Sequence, residues 1–167
     1  YRRFVEKDGV GMETLRELAD LGRLSATGGN KQPPKFLLSC DAATNARIFP
    51  HLAWAAWLKD WAGPAEGERP SAYIVILGDK EVSTGFGVDH GIAAQSILLG
   101  AAEKGLGGCM IGSIKRAELA AALKLPTRYD ILLVVALGRP GERVVLEEVK
   151  GGDTKYWRDA EGVHHVP

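Results

Sequence analysis

The segment Ser25–Pro34 concentrates residue types that could bind a planar, polar ligand. It reads Ser-Ala-Thr-Gly-Gly-Asn-Lys-Gln-Pro-Pro and lies between an amphipathic stretch and an apolar run. Asn30 and Gln32 each carry a planar amide that donates and accepts hydrogen bonds. Gly28 and Gly29 let the backbone approach a ligand closely. These features suit a loop that contacts a heteroaromatic ring, although an ordinary turn-rich connection has the same composition.

A second segment, Gly105–Ser113, contains four glycines around a short apolar run. Flat backbone of this kind could lie against a ring, with its N–H groups donating hydrogen bonds to ring heteroatoms. A glycine that ends a helix is the alternative explanation for Gly105. That alternative accounts less well for Gly108 and Gly112.

Basic residues that could bind a phosphate stand near both ends of the apolar core. Arg2 and Arg3 are adjacent at the start of the chain, and Arg139 and Arg143 follow the last strongly apolar run. A guanidinium group binds phosphate through charge-assisted, often bidentate hydrogen bonds. Because single surface arginines are commonly just solvated, their spacing alone does not select among the four.

The familiar side-chain signatures of catalysis are missing from the sequence. It contains no G-x-S-x-G, no Walker P-loop and no G-x-G-x-x-G after a strand. Ser39-Cys40-Asp41 lacks an elbow that would present a nucleophile, and the histidines have no companion ligands, so we expect no metal site. A bound cofactor is therefore the better candidate for carrying a reaction.

Composition restricts the class of protein. The chain has 167 residues, which suits one core rather than two, so we expect a single domain over 1–167. Its 21 basic and 21 acidic residues balance, which argues against nucleic acid as a partner. No apolar run has the length of a membrane span. Cys40 and Cys109 stand in apolar surroundings, which predicts buried, reduced thiols and fits a cytoplasmic location.

Helices and strands must alternate to position these segments. Periodicity predicts helices over Met12–Leu24, Ala42–Ile48 with Asp41 as N-cap, Asp89 to about Gly105, and Ala117–Leu125. Apolar, β-branched runs predict strands over Lys35–Cys40, Ala72–Gly78, Gly108–Gly112 and Tyr129–Leu137. This order predicts a three-layer α/β or α+β domain. The tail from Glu147 to Pro167 has no clear period.

Three of the four tryptophans stand close together before the second predicted strand. Trp54, Trp57 and Trp61 would share one face if this segment were helical. Packing against the core or a partner is one interpretation. The other is an aromatic wall that stacks on a planar substrate.

Five pieces of the sequence together resemble the FMN-dependent nitroreductase family, in the family's order and roughly its spacing. They are Tyr1-Arg-Arg-Phe4, Ser25-x-x-x-x-Asn30-x-Gln32-Pro33, Asp89-His-Gly-Ile-Ala-Ala-Gln-Ser96, Gly105-Leu-Gly-Gly-Cys-Met-Ile-Gly112 and Ala136-Leu-Gly-Arg-Pro140. The ending, Lys155-Tyr-Trp-Arg-Asp and His164-His-Val-Pro167, is similar to a short-chain branch of that family. The family's N-terminal motif starts two basic residues and a serine earlier, so we expect these to precede Tyr1.

The resemblance implies an α+β, three-layer fold with a central mixed or antiparallel sheet flanked by helices. It also implies an intertwined homodimer with FMN at the interface. The site residues that it implies fall in three groups. They are Arg2 and Arg3 with Arg139 or Arg143 for the phosphate, Ser25, Asn30 and Gln32 from the partner's loop, and Met110, Ile111, Gly112 and Ser113 against the ring. Asp89 is interpreted first as a helix N-cap and second as a group facing the ring.

The activity implied is that of an oxidoreductase that uses NADH or NADPH, through FMN, to reduce a nitroaromatic, a quinone or a related small acceptor. Turnover would be ping-pong, because donor and acceptor use the same flavin face in succession. No catalytic side chain is assigned, because the flavin carries the chemistry. Two alternatives stay open, namely a flavin-binding carrier or sensor without turnover and a cofactor-free interaction module.

Overall fold

The computed structural model describes residues 1–167 and contains one four-stranded antiparallel sheet. Its strands are β1 (Pro34–Ser39), β2 (Ala72–Asp79), β3 (Gly107–Ile111) and β4 (Tyr129–Gly138), in the spatial order β1-β2-β4-β3. The helices are α1 (Met12–Arg23), α2 (Ala42–Ile48), α3 (Asp89–Glu103) and α4 (Arg116–Ala122). The predicted helices and strands named above are all present, within a few residues of their expected bounds. None of these helices combines the length and apolarity needed to cross a membrane.

The sheet is the middle of three layers. All residues of β2 are buried, and their side chains alternate between the two faces. Ile74 and Ile76 pack with α1 and α3, whereas Tyr73 and Val75 pack with Ile48 of α2 and with α4. This arrangement confirms the three-layer α+β prediction, with a sheet that is purely antiparallel.

A β-bulge in β4 changes which face its residues occupy. Ile76 pairs with Leu133 but Leu77 pairs with Ile131, so Leu132 is an extra residue. One inserted residue moves the following side chains to the opposite face. The side chain of Arg116 donates to the carbonyl oxygens of Ile131 at 2.9 Å and Leu132 at 3.3 Å, so it satisfies acceptors that the bulge leaves open.

Two predicted helix ends are confirmed. The Asp41 carboxylate accepts a hydrogen bond from the backbone N–H of Thr44 at 2.8 Å, and this N–H holds the pKa of Asp41 below its usual value. Gly105 follows α3 with φ +70°, the left-handed conformation that glycine adopts most readily. Its N–H donates to the carbonyl oxygen of Ala102 at 3.0 Å. Gly105 is therefore the predicted helix terminator.

The tryptophan segment is not helical, so the prediction of a shared helical face is wrong. Leu52 forms a β-bridge with Ile114, and turns follow it. The Trp54 ring lies 5.9 Å from Phe49 and 6.4 Å from Trp61, between ring centroids. Hydrogen bonds to the segment after β3 replace the hydrogen bonds that a helix would need.

The tail and the residues just before it form a second, three-stranded sheet that the sequence pattern did not predict. Its strands are β5 (Val144–Leu146), β6 (Trp157–Arg158) and β7 (His164–Val166), in the order β5-β7-β6. Strands of two or three residues are too short for alternation to be visible in the sequence. Both cysteines are free and partly buried, and burial raises the pKa of the Cys109 thiol.

Candidate functional site

Arg2 lies where the N-terminal segment crosses the start of β3. The backbone nitrogen of Tyr1 donates to the carbonyl oxygen of Gly108 at 3.1 Å. The Nη1 atom of Arg2 is 2.8 Å from His164 Nε2, and its guanidinium carbon lies 4.3 Å from the Tyr156 ring centroid. No carboxylate of the chain pairs with this guanidinium, so most of its donors remain available to an anion.

The other three predicted phosphate ligands differ in their pairing. Two of them form ion pairs, Arg3 Nε with Glu68 Oε2 at 3.2 Å and Arg139 Nε with Asp8 Oδ2 at 3.1 Å. Arg143 is exposed and has no carboxylate partner. Arg2 and Arg143 are therefore the two candidates whose charge is not already compensated.

Glu142 holds the backbone of the N-terminal segment. Its buried carboxylate accepts hydrogen bonds from the backbone N–H groups of Arg2 and Arg3 and from Arg158 Nη2, the last at 2.7 Å. Burial raises the pKa of Glu142, but the N–H of Arg2 and the charge of Arg158 outweigh it and leave the pKa below its usual value. An ionised carboxylate therefore anchors Arg2 without contacting its guanidinium.

His164 contacts that guanidinium and is fully buried. Burial, and after it the positive charge of Arg2, lower the pKa of His164 to about 4. The imidazole is therefore neutral near pH 7, and Nε2 accepts from Arg2 because arginine only donates. Sequence reasoning did not find His164, Glu142 or Tyr156 as site residues. Tyr156 and His164 belong to a tail without periodicity, Glu142 lies just before β5, and no local signal marks any of them as a site residue.

The segment Met110–Ser113 forms the end of an edge strand. The side chain of Ile111 is buried with α2 and α4, whereas Met110 is 39% exposed. A Cβ atom at Gly112 would have only Leu133 Cδ1 nearby, at 4.0 Å. The backbone N–H groups of Gly112 and Ser113 donate to no atom of the chain. A ligand could therefore approach the backbone at these two residues.

Gly108 has a different reason to be glycine. A Cβ atom there would lie 2.6 Å from the backbone oxygen of Ala136 and 2.7 Å from Leu98 Cδ2. Close packing on β4 and α3 therefore requires this glycine, independently of any ring. From Gly108 to Gly112 the strand covers about 13 Å.

The loop 25–34 is tied to α3 at two points. Ser25 Oγ lies 2.8 Å from Ser96 Oγ and donates to the carbonyl oxygen of Leu21 at 2.9 Å. The N–H of Gly28 donates to Asp89 Oδ1 at 2.9 Å. Val88, not Asp89, occupies the N-cap of α3, and it makes no side-chain capping bond. The N-cap interpretation of Asp89 is therefore wrong, because its carboxylate anchors the loop instead.

Asn30 and Gln32 lie at the exposed tip of this loop. Their φ angles are +55° and +56°, which non-glycine residues rarely adopt. Gln32 Nε2 donates to Asn30 Oδ1 at 3.0 Å, which leaves Asn30 Nδ2 and Gln32 Oε1 without partners in the chain. Strained backbone of this kind concentrates at ligand-binding loops. One amide donor and one amide acceptor are thus presented together.

The structure places this loop and β3 at opposite edges of the sheet. Through β1 and β2, the end of the loop is level with Asp130 near the start of β4. The N-terminal segment, which is hydrogen-bonded to Gly108, is level with the end of β4, where Gly138 pairs with Gly107. Along β4 these two levels are about 27 Å apart. The loop is therefore separated from the N-terminal segment both along the strands and across the sheet, whereas the end of β3 is nearer to the level of the loop.

Trp57 lies four residues after Ala53, which is hydrogen-bonded to the segment that follows β3, and its ring lies 5.4 Å from Lys155 Nζ. The N–H of Ala53 donates to the carbonyl oxygen of Ser113 at 3.0 Å, which joins the tryptophan segment to the candidate ring contact. Trp57 is 52% exposed, and its N–H lies 3.4 Å from the Tyr156 hydroxyl oxygen. Trp54 and Trp61 pack against each other. Among these three tryptophans, Trp57 is therefore the one available to stack on a substrate.

Comparison with known proteins assigns this architecture. The model described as "Nitroreductase family" matches residues 1–139. The chain belongs to the nitroreductase family. Residues 140–167, which include the second sheet, lie outside that match.

Solved structures of several nitroreductase-family proteins share the fold. An FMN-dependent nitroreductase from Clostridium difficile is 22% identical, with 85% of this chain and 83% of that chain covered and a TM-score of 0.68. A nitroreductase family protein from Streptococcus pneumoniae is 15% identical, with coverages of 89% and 90% and a TM-score of 0.71. The NADPH:FMN oxidoreductase from Vibrio harveyi, complexed with NAD+, is 22% identical, with coverages of 84% and 64% and a TM-score of 0.64. The match of the family model confirms the predicted family, and these structures confirm the predicted fold.

Proposed function

We propose that this protein is an FMN-dependent oxidoreductase that draws electrons from NADH or NADPH. One observation carries the proposal. The N-terminal segment that carries the unpaired guanidinium of Arg2 is hydrogen-bonded to Gly108 at one end of β3, and the open backbone of Gly112 lies about 13 Å away at the other end, in a chain of the nitroreductase family. The chemistry that FMN supplies when bound is hydride transfer from a reduced nicotinamide to a small organic acceptor.

The phosphate of FMN would be held by arginines at the N-terminal end of β3. Arg2 supplies a guanidinium that no carboxylate compensates, which suits bidentate binding of a phosphate. We favour Arg143 over Arg139 as the second cation, because Arg139 is already paired with Asp8. Arg3 is paired with Glu68, which compensates its charge, so we expect Arg3 to contribute less than Arg2.

The ring of FMN would lie against Met110–Ser113. The free N–H groups of Gly112 and Ser113 are preorganised donors that favour negative charge on the bound ring. Ile111 anchors the segment in the core, and Arg116 holds it from behind through the carbonyl oxygen of Gly112 at 3.2 Å. No side-chain acid or base is needed for this role.

We further propose a homodimer in which Ser25, Asn30 and Gln32 serve the partner's FMN. The loop lies at the opposite edge of the sheet from β3, about 27 Å along β4 from the level of the N-terminal segment, which favours a role at the cofactor of a second chain. The outer surface of α1 and α3 also exposes large apolar side chains, including Leu24 at 66% and Leu99 at 63%. Apolar surface of this extent is typical of a protein interface. Light scattering should give the mass of a dimer, and a monomeric mass would contradict the shared site.

The acceptor would be a planar organic molecule such as a nitroaromatic or a quinone. Trp57 offers an exposed aromatic face next to the ring contact, and aromatic faces stack favourably on planar molecules. A cytoplasmic location suits the two free thiols. The ping-pong order predicts parallel lines in double-reciprocal plots when donor and acceptor are both varied.

A visible spectrum of the purified protein tests the proposal. We expect the two absorbance bands of a bound flavin, and we expect anaerobic NADH or NADPH to bleach them. Bound FMN that neither nicotinamide bleaches would favour a carrier or sensor. Protein that takes up no FMN even after incubation with it would favour an interaction module and refute the proposal.

A further inference from the structure

The tail beyond the family match contacts the predicted phosphate ligand directly. His164 Nε2 accepts from Arg2 Nη1 at 2.8 Å, and the Tyr156 ring lies beneath the same guanidinium at 4.3 Å. Both residues fall outside residues 1–139, which the family model matches. Nothing in the family assignment therefore accounts for these two contacts.

We propose that His164 and Tyr156 are positioning residues that hold the Arg2 guanidinium in the orientation that binds the FMN phosphate. The inference rests on the proposed function, because it assumes that Arg2 binds that phosphate. It adds a task for the tail, which the family resemblance does not supply.

The chemistry of the partner suits this task. A carboxylate would orient Arg2 but would also cancel its charge, as Glu68 does for Arg3. A neutral imidazole accepts one hydrogen bond and leaves the charge intact. Arg2 has five N–H donors, and His164 uses one of them, so the others stay available to a phosphate.

The support is rigid. His164 is 1% exposed, and its backbone N–H donates to the carbonyl oxygen of Arg143 at 2.9 Å. The centroid of its ring lies 5.3 Å from that of the Tyr156 ring. Glu142 fixes the backbone of Arg2 at the same time. A side chain that is ordered before binding loses less conformational entropy when the ligand arrives.

Riboflavin separates this role from a structural one, because it has the ring of FMN but no phosphate. Affinities for FMN and riboflavin would be measured by titrating the flavin-free full-length chain and following flavin fluorescence. We expect His164→Leu to weaken FMN binding roughly three- to tenfold and leave riboflavin binding unchanged. His164→Gln keeps an acceptor and should recover most of the loss.

His165→Leu is the matched control. His165 lies in the same strand but contacts Glu147 at 2.6 Å and Asp159 at 3.0 Å instead of Arg2. This variant should leave the ratio of the two affinities as in the wild type. If His164→Leu does not fold, Tyr156→Leu provides the same readout, because it removes the ring beneath Arg2.

The outcomes are distinguishable. Two results would overturn the inference and leave the proposed function standing. One is that His164→Leu loses FMN affinity and riboflavin affinity by the same factor. The other is that His165→Leu changes the ratio of the two affinities as much as His164→Leu does. A wild-type protein that binds neither flavin would refute the proposed function and, with it, the inference.

Discussion

Acidification should destabilise this protein through His164, and the structure gives the sign and the size of the effect. Burial and the neighbouring charge of Arg2 lower the pKa of His164 from 6.5 to about 4. Between these values the unfolded chain binds a proton that the folded protein excludes. The free energy of unfolding therefore falls as the pH decreases through this range. His164 lowers the free energy of unfolding by about 3 kcal/mol over the whole range, and about 2 kcal/mol of this decrease has occurred by pH 5.

Other groups titrate in the same range, so the prediction concerns a difference between variants. Glu142 and Arg158 also face His164, and both remain in His164→Gln. Hydrogen bonds to Asp159 and Glu147 raise the pKa of His165. His165 therefore stabilises the fold at low pH, and this contribution is lost as the pH rises through its folded pKa.

Urea denaturation at pH 7.5 and pH 5.0, followed by tryptophan fluorescence, measures the effect at constant flavin content. Between these pH values the free energy of unfolding should fall by about 2 kcal/mol less in His164→Gln than in the wild type. In His165→Gln it should fall by more than in the wild type. If the free energy of unfolding of His164→Gln falls with pH as much as that of the wild type, the reasoning is refuted. His164 would then have the same pKa in the folded protein and in the unfolded chain.

Three further predictions follow from the site. Arg2→Gln should weaken FMN binding roughly 10- to 100-fold and change riboflavin binding little. Arg139→Gln should change FMN binding little, and isothermal titration calorimetry measures both variants. Gly108→Ala should lower the free energy of unfolding by about 1–3 kcal/mol in a denaturant titration, because its Cβ would clash with β4, whereas Gly112→Ala should leave stability nearly unchanged. Trp57→Ala should keep the fold and reduce turnover with aromatic acceptors, and full turnover with every such acceptor would remove its role as a wall.

Much of the fold was predictable because the signals that specify it are local. The apolar run of β2 and the spacing of Leu15 and Leu18 in α1 predicted buried elements where the structure has them. The segment Trp54–Trp61 was not predictable in this way. The spacing of its tryptophans suits a helix, but residues 51–53 before it pair with the segment after β3, and the bonds within it are those of turns. Tertiary contacts override local preference in such segments.

The candidate site was only partly predictable for the same reason. Family motifs identified Arg2 and Met110–Ser113, which the structure brings to one strand. They also identified the loop 25–34, which the structure places at the opposite edge of the sheet. Of the residues that surround Arg2, Tyr156 and His164 lie in the tail, whose short strands leave no periodic signal, and Glu142 lies just before β5.

The sequence by itself determined the four α-helices and the four strands of the main sheet, the helix ends at Asp41 and Gly105, and the family. These depend on residues a few positions apart, so their physics is contained in short stretches of chain. Only the tertiary structure decided which arginine keeps an uncompensated charge and which end of the sheet each candidate segment occupies. Arg2 and His164 are 162 positions apart. Whether a buried imidazole or a carboxylate meets a guanidinium across such a separation depends on how the whole chain packs.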